Sequence, residues 1–231
     1  MIFRQLFDRE TCTYTYLLAD GCEAVLIDPV REQVNRDGQL IEELELRLRY
    51  TLETHIHADH VTGAAQLRDS MGCETVASEA GGVVCVDRPV QHGDVVRFGK
   101  RHLSVQSTPG HTNSCVTYVL DDRSMAFTGD ALMVRGCGRT DFQGGDAATL
   151  YASVHTQILS LPDDCHLFPG HDYTGRTMTT VAEERAHNPR LGGSNTVEDF
   201  IRTMGELKLK EPGQIAVTVP ANLRCGLPPE G

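Results

Sequence analysis

Short segments in which apolar residues alternate with polar ones, or run together, occur along most of the chain and predict β-strands. Stripes of apolar residues at helical spacing, such as Leu150, Val154 and Ile158, predict helices. The predicted strands lie at 1–6, 14–19, 24–28, 49–53, 74–77, 95–98, 102–107, 115–120, 124–128 and 166–168. The predicted helices lie at 39–47, 61–71, 147–159, 177–187 and 196–207, and the tail at 217–231 reads as irregular. No internal repeat or linker divides these elements, so the pattern predicts one domain over residues 1–231.

Three local features sharpen this pattern. The continuous apolar run at 24–28 is typical of a strand that is buried on both faces. Asp121 and Asp122 separate two alternating runs and predict a β-hairpin. Thr196 is a suitable N-cap for the helix that follows it.

The composition is that of an ordinary globular protein, with 231 residues of which 40% are hydrophobic, and a formal net charge of −11. An acidic balance without a Lys/Arg-rich run argues against a nucleic-acid partner. No apolar run approaches the roughly 18 residues of a membrane helix. Residues 1–8 lack the basic and apolar regions of a secretory signal. We therefore expect no membrane partner and a cytoplasmic location, while a homodimer is left open.

The eight cysteines are scattered and form no Cys-x-x-Cys pair, so neither a disulfide framework nor a zinc ribbon is expected. A small buried hydrophobe is the ordinary role for such residues. Cys137 is the exception, because it lies between Gly136 and Gly138, and oxidation of its thiol is a second hypothesis there.

The densest chemical signal is a run of three histidines and one aspartate between a predicted strand and a predicted helix. Its residues are Thr54, His55, Ile56, His57, Ala58, Asp59 and His60. A strand-to-helix turn can direct side chains from successive positions at one point, which a regular strand or helix cannot do. Imidazole is the commonest metal ligand, and a carboxylate adds charge that holds a divalent cation. The run therefore predicts a metal site.

Three further candidate ligands follow glycines at the ends of predicted strands. They are His111 after Gly110, Asp130 after Gly129, and His171 after Gly170. Glycine lets the backbone turn sharply and approach a bound ion. In sheet-based α/β architectures, the loops at one edge of the strands meet to form the site. We expect these side chains to lie with the histidine run.

Taken together, the histidine run and the three glycine–ligand junctions resemble the metallo-β-lactamase superfamily over nearly the whole chain. This resemblance implies an α/β fold, the αββα sandwich of the metallo-β-lactamase type. Within the superfamily, the persulfide dioxygenases (also called sulfur dioxygenases) and the hydroxyacylglutathione hydrolases (glyoxalase II) both use glutathione derivatives. Residues 135–142, 171–173 and 219–226 are similar to the dioxygenase pattern.

The resemblance to the dioxygenases implies one Fe(II) per chain, bound by His55, His111 and Asp130. Two histidines and one carboxylate are the facial triad of non-heme iron oxygenases, which leaves positions open. The implied reaction converts glutathione persulfide, O2 and water into glutathione and sulfite. In this interpretation four other residues surround the metal without binding it: His57, Asp59, His60 and His171. All four are also residue types that could bind a second metal, so the residue types alone do not distinguish a mononuclear site from a binuclear one.

Four residues are predicted to contact the glutathione part of the substrate. They are Arg139, Tyr173, Arg190 and Asn222. Arg139 follows Asp130 along the chain and can pair with a carboxylate through a bidentate fork. Tyr173 lies two residues after His171, and the other two are implied by the resemblance. Two alternatives stay open, namely a thioester hydrolase with two metals and a non-catalytic sulfide or metal sensor.

Overall fold

The computed structural model describes residues 1–210 and 213–227. These residues form two mixed six-stranded sheets and six α-helices. The chain divides into two compact units. The first contains 1–90, 96–102 and the described part of 210–231, and the second contains 91–95 and 103–209. The predicted organisation as one domain stays a prediction.

The first sheet has its strands in the order in which they follow along the chain. The strands are β1 (Ile2–Asp8), β2 (Thr13–Asp20), β3 (Glu23–Ile27), β4 (Arg47–Leu52), β5 (Glu74–Ser78) and β6 (Arg88–Val90). Strands β1 to β3 pair in antiparallel fashion, and β3 to β6 pair in parallel. The parallel pairs matter for function, because the loops after β3 and β4 leave from the same edge of the sheet.

Two helices cover this sheet, and a third lies near the end of the chain. They are α1 (Val34–Glu43), α2 (Ala64–Met71) and α6 (Ile215–Asn222). Ile41 of α1 and Leu67 of α2 are fully buried in one hydrophobic cluster with Leu17, Leu26 and Leu48 of the strands. As the apolar run at 24–28 predicted, β3 is buried over nearly its whole length.

The second sheet has the order β12-β11-β10-β9-β8-β7. Its strands are β7 (Val95–Phe98), β8 (Arg101–Ser107), β9 (Val116–Leu120), β10 (Met125–Gly129), β11 (His166–Pro169) and β12 (Thr179–Thr180). Strands β9 and β10 form the predicted hairpin, with Val119 opposite Ala126. Strands β10 and β11 are parallel, and Gly129 pairs with Pro169 where both strands end.

The remaining helices are α3 (Ala147–Ser153), which continues as the π-helical turn Val154–Ile158, α4 (Val181–His187) and α5 (Val197–Glu206). The predicted stripe of Leu150, Val154 and Ile158 is fully buried in the core of the second unit. The predicted N-cap is confirmed, because the Thr196 side chain accepts a hydrogen bond from the backbone N–H of Asp199.

Several sequence-based boundaries are wrong. The helix predicted at 39–47 lies at Val34–Glu43, because the alternating leucines after residue 43 lead into β4. The helix predicted from 177 begins at Val181, since residues 179 and 180 pair with β11. Strand β6 was not predicted. The tail from 217 is not irregular throughout, because Ile215–Asn222 is helical even though it contains Pro220.

Candidate metal centre

The three histidines of the run after β4 are buried, and their rings pack against one another at tilted angles. His55, His57 and His60 have at most 4% of their surface exposed. The ring centroids of His55 and His57 lie 4.0 Å apart, and those of His57 and His60 lie 4.3 Å apart. We refer to residues 53–63 as the histidine loop.

Asp28 holds the start of the histidine loop from the neighbouring strand. Strands β3 and β4 are parallel, and Ile27 pairs with Leu52, so Asp28 emerges beside Thr54. Both the backbone N–H and the hydroxyl of Thr54 donate to the Asp28 carboxylate at 2.7 Å. Nδ1 of His55 lies 3.0 Å from the same hydroxyl oxygen. Because that hydroxyl already donates to Asp28, it accepts from His55, and Nδ1 carries the proton.

His57 also lies against buried carboxyl groups of this unit. Its Nε2 is 3.1 Å from Asp28 and 3.7 Å from Glu53, and one ligand atom from each residue lies within 4.8 Å of the others. Burial, together with the charge of Asp28, raises the pKa of the Glu53 carboxyl. Burial opposes protonation of His57, but the charges of Asp28, Asp59 and Glu53 outweigh it and raise the pKa of that imidazole.

Asp59 and His60 form a second pair in the same loop. Nδ1 of His60 lies 3.0 Å from the Asp59 carboxylate. The hydroxyl of Thr13, at the start of β2, lies 3.4 Å from both residues.

In the second unit, Asp130 and His171 follow two neighbouring parallel strands, β10 and β11. Nδ1 of His171 donates to Oδ1 of Asp130 at 2.7 Å, and both residues are buried. A Cβ atom on Gly170 would lie 2.8 Å from that same carboxylate oxygen. Glycine is therefore needed there so that the chain can pass close to Asp130.

His111 is held by the loop that follows Asp130. Its Nδ1 donates to the backbone carbonyl of Arg139 at 2.7 Å, so its Nε2 is the nitrogen that faces the carboxylate of Asp130, at 3.7 Å. A hydrogen bond of this kind fixes both the tautomer and the orientation of a ligating imidazole. Gly138 lies against the His111 ring, where a Cβ atom would come within 2.5 Å of Nδ1.

The predicted substrate-binding residues of the second unit have protein contacts already. Arg139 makes a bidentate ion pair with Asp141 at 2.7 and 2.8 Å, and its guanidinium lies 4.2 Å from the ring centroid of Phe142. Tyr173 is largely exposed and its ring stacks on that of His171. Arg190 donates to the backbone carbonyl of Cys137 at 3.1 Å.

Asn222, the fourth predicted substrate contact, is buried against the histidine loop. Its side-chain N–H groups donate to the carbonyls of His57 and His60, at 2.8 and 2.9 Å. Its side-chain oxygen accepts from the backbone N–H of Thr62 at 2.9 Å. The side-chain amide of Asn222 thus makes three hydrogen bonds with the backbone of the histidine loop.

The cysteines of the described residues are free thiols, and five of the eight are buried. Cys137 lies in the core of the second unit, and burial raises the pKa of its thiol to about 11. A buried, protonated thiol is a poor nucleophile. These surroundings favour the ordinary core role for Cys137 over oxidation.

Sequence reasoning missed two groups of this site. The apolar run predicts Asp28 only as the end of a strand, but a carboxylate directly after a buried apolar strand is a signal for a site residue. The contact of Asn222 with the histidine loop joins residues 160 and more positions apart in the chain, and no local pattern indicates it.

Comparisons with known proteins identify the family of this chain. The family model of the metallo-beta-lactamase superfamily matches residues 11–171. The chain is 54% identical over 230 residues to "Persulfide dioxygenase ETHE1, mitochondrial" of Homo sapiens, a match that covers 98% of this chain and 89% of the human protein. The crystal structure of ETHE1 from Myxococcus xanthus has a TM-score of 0.95 and 49% identity, and covers 98% of this chain and 100% of that one.

A more distant relative belongs to the competing family. Hydroxyacylglutathione hydrolase GloC of Haemophilus influenzae is 33% identical over 197 residues, covering 76% of this chain and 91% of that protein. The chain belongs to the metallo-β-lactamase superfamily and, within it, to the persulfide dioxygenase family.

Family membership confirms the predicted fold class, the α/β fold of the metallo-β-lactamase type with two mixed sheets and flanking helices. The buried histidine and aspartate side chains, in a superfamily of metal-dependent folds, support a metal centre. Among the residues that the structure describes, no helix has the length and apolar character to span a membrane.

Proposed function

We propose that this protein is a persulfide dioxygenase that converts glutathione persulfide, O2 and water into glutathione and sulfite at one Fe(II) ion per chain. The observation that carries the proposal is the 54% identity to the human persulfide dioxygenase over 98% of the chain. The relative named as a hydroxyacylglutathione hydrolase is only 33% identical over a shorter match.

We propose His55, His111 and Asp130 as the ligands of the ferrous ion. Two neutral imidazoles and one carboxylate are the donor set of non-heme Fe(II) oxygenases. The hydrogen bonds of the two histidines support this assignment, because Nδ1 of His55 donates to Thr54 and Nδ1 of His111 donates to Arg139. Each ring is then in the tautomer that presents Nε2 as a ligand.

When bound, the metal supplies open coordination positions at which the persulfide sulfur and dioxygen can react. The chain's own residues then have to orient the ligands and keep them in one protonation state. Asp28 does so for His55 through the Thr54 hydroxyl. His171 does so for Asp130, because its Nδ1–H holds one carboxylate oxygen and directs the other towards His111.

In this proposal His57, Asp59, His60 and His171 hold no second metal. The contact of His57 supports that role, because its Nε2 lies against Asp28. His60 and His171 contact Asp59 and Asp130 through Nδ1, as ligating histidines also do, so their role rests on the resemblance to the dioxygenases. The same four residues would complete a binuclear site in a thioester hydrolase. The presence of all of them is the observation that keeps the hydrolase as a second candidate.

For the glutathione part of the substrate, we propose contacts with Arg139, Tyr173 and Arg190. Glutathione persulfide carries two carboxylates, and a protein with a net charge of −11 needs local cations to hold it. The ion pair of Arg139 with Asp141 is compatible with this role. Asp141 is more than half exposed, so its side chain has room to move aside when a substrate carboxylate takes its place on the guanidinium.

The function is tested with protein purified without added metal. We expect about one iron and little zinc per chain by mass spectrometry. We also expect oxygen uptake with glutathione persulfide but not with glutathione or its disulfide, and sulfite as the product. Two zinc ions per chain together with hydrolysis of lactoylglutathione would establish the hydrolase instead. Metal binding without turnover of either substrate would point to the sensor.

Assembly and location complete the proposal. We propose that the protein acts in the cytoplasm, although the word mitochondrial stands in the name of the human relative. Microscopy of a fluorescently tagged chain in its own cells tests this. A homodimer stays a prediction, which light scattering coupled to size-exclusion chromatography tests.

A further inference from the structure

The C-terminal helix α6 is fastened to the histidine loop by side chains that use the loop's backbone as their partner. Asn222 binds the carbonyls of His57 and His60 and the N–H of Thr62. One turn earlier, the hydroxyl of Thr218 donates to the carbonyl of Ala58 at 2.7 Å. Two side chains of one helix thus engage four consecutive or nearly consecutive peptide groups of the loop.

The segment directly after α6 also packs tightly against the histidine loop. A Cβ atom on Gly226 would lie 2.1 Å from the carbonyl oxygen of Thr62, and the residue has a φ of +87°. The carbonyl of Cys225 accepts a hydrogen bond of 3.0 Å from the N–H of Ala65 at the start of α2. These contacts do not involve the Asn222 amide, and they hold α6 and the histidine loop in a fixed position relative to each other.

The loop needs such partners, because His57, His60 and Thr62 are buried but lie in none of the named strands or helices. Thr218 and Asn222 are themselves buried. A buried backbone donor or acceptor without a partner costs on the order of 1–3 kcal/mol. The carbonyls of His57 and His60 belong to the residues that flank Ala58 and Asp59. Their positions therefore set the directions of the His57, Asp59 and His60 side chains. His57 in turn packs against the ring of the proposed ligand His55, with the ring centroids 4.0 Å apart.

We infer that Asn222 and Thr218 position the histidine loop for metal binding, so that the C-terminal helix contributes to metal affinity without touching the metal. Both are positioning residues in this inference. The inference rests on the metal centre of the proposed function but not on the identity of its substrate. It assigns Asn222 a different role from the substrate contact that the sequence predicted.

Titration of metal-free protein with ferrous ion under anaerobic conditions tests the inference, with bound iron as the readout. We expect Asn222→Ala to weaken iron binding about ten-fold, the lower end of the effect of losing a direct partner of a metal ligand, because Asn222 acts on His55 only through the loop. Asn222→Asp should be at least as harmful, because a carboxylate oxygen would face the two carbonyls in place of the amide N–H groups. Thr218→Val should weaken binding several-fold, and Thr218→Ser should restore it.

Thr203→Val is the matched control. The Thr203 hydroxyl also donates to a backbone carbonyl, that of Asp199, but within α5 of the second unit. We expect its iron affinity and turnover to equal those of the unmodified protein. If Asn222→Ala does not fold, the comparison of Thr218→Val with Thr203→Val decides the matter by the same titration.

The opposite result is also clear. Unchanged iron affinity in the Asn222 and Thr218 variants, together with a raised KM for glutathione persulfide, would overturn the inference and make Asn222 a substrate contact. Failure of the proposed function looks different. In that case the unmodified protein shows no persulfide-dependent oxygen uptake, while the order of metal affinities among the variants still tests the role of α6.

Discussion

His171 donates a hydrogen bond of 2.7 Å from Nδ1 to one carboxylate oxygen of Asp130, and the two residues follow neighbouring parallel strands. The other oxygen of Asp130 lies 3.7 Å from Nε2 of His111. One carboxylate therefore has two different neighbours, one that orients it and one that we propose as a fellow ligand. Asp130 and His171 therefore have different roles, which substitutions can separate.

Asp130→Ala should abolish both iron binding and oxygen uptake, because it removes the carboxylate that we propose as the anionic ligand. His171→Ala should leave most of the iron in place, since His171 acts on Asp130 and not on the metal. Iron content and oxygen uptake measured on the same preparations check this. Equal loss of iron in both variants would indicate a binuclear site or a different assignment of ligands.

Arg139→Ala should raise the KM for glutathione persulfide about ten-fold or more, with iron content unchanged. A charge-assisted bidentate contact contributes roughly 1.5–3 kcal/mol, or about one to two decades in binding. Arg139→Lys should recover only part of the loss, because lysine keeps the charge but not the fork. If the contact acts equally in the ground and transition states, kcat should change little.

Asp141→Asn provides the companion measurement. It removes the negative charge that now pairs with the guanidinium of Arg139, so KM should fall if that guanidinium binds a substrate carboxylate. An unchanged KM in both variants at full iron loading would reject Arg139 as a substrate anchor.

Gly138→Ala should weaken iron retention about ten-fold or more and reduce turnover with it. The new methyl group would meet the His111 ring at 2.5 Å and the backbone carbonyl of Asp130 at 2.8 Å, so the ring has to turn away. Gly136→Ala is a matched control two residues earlier, where the same methyl group would meet only Met133, at 4.0 Å. Two variants with equal iron affinity would contradict this account of how His111 is held.

Asp37→Asn should stabilise the protein at pH 8 and have little effect near pH 4. Asp37 is fully buried beside Arg36, and burial raises the pKa of its carboxyl from 3.8 to about 6. A raised carboxyl pKa means that the folded state disfavours the charge, so stability is lost as pH rises from about 4 to 6. The full cost above that window is on the order of 3 kcal/mol.

Urea unfolding of the metal-free Asp37→Asn and unmodified proteins at both pH values checks this. Metal-free samples are needed so that loss of a bound ion at low pH does not mask the effect. A difference in unfolding free energy that is the same at pH 4 and pH 8 would show that the charge of Asp37 is not the cause.

Much of the site could be predicted because its residues lie at the ends of strands. The glycines at 110, 129 and 170 are local features, and they predict turns at His111, Asp130 and His171 without any knowledge of the fold. The histidine run is a local feature too. Element boundaries were less accurate, because the alternating leucines at 44, 46 and 48 span the turn after α1 and the start of β4, and none of them lies in the helix.

Helix α6 shows the limit of such reasoning. It contains Pro220 and has no stripe of apolar residues at helical spacing, so its sequence reads as irregular. Tertiary contacts stabilise it instead, through Asn222 and Thr218 on the backbone of the histidine loop. Such contacts depend on which segments meet in space, and a periodicity within one segment carries no information about them.

The sequence alone thus determined which residue types are available to bind a metal, and that these residues occur at the ends of strands. Both properties depend only on the local order and spacing of residues. Only the tertiary structure decided what orients them. Asp28 reaches Thr54 because β3 and β4 are parallel neighbours, and Asn222 reaches His57 from 165 positions away. These contacts arise from chain packing, in which buried polar groups take whichever partners the fold brings within hydrogen-bonding distance.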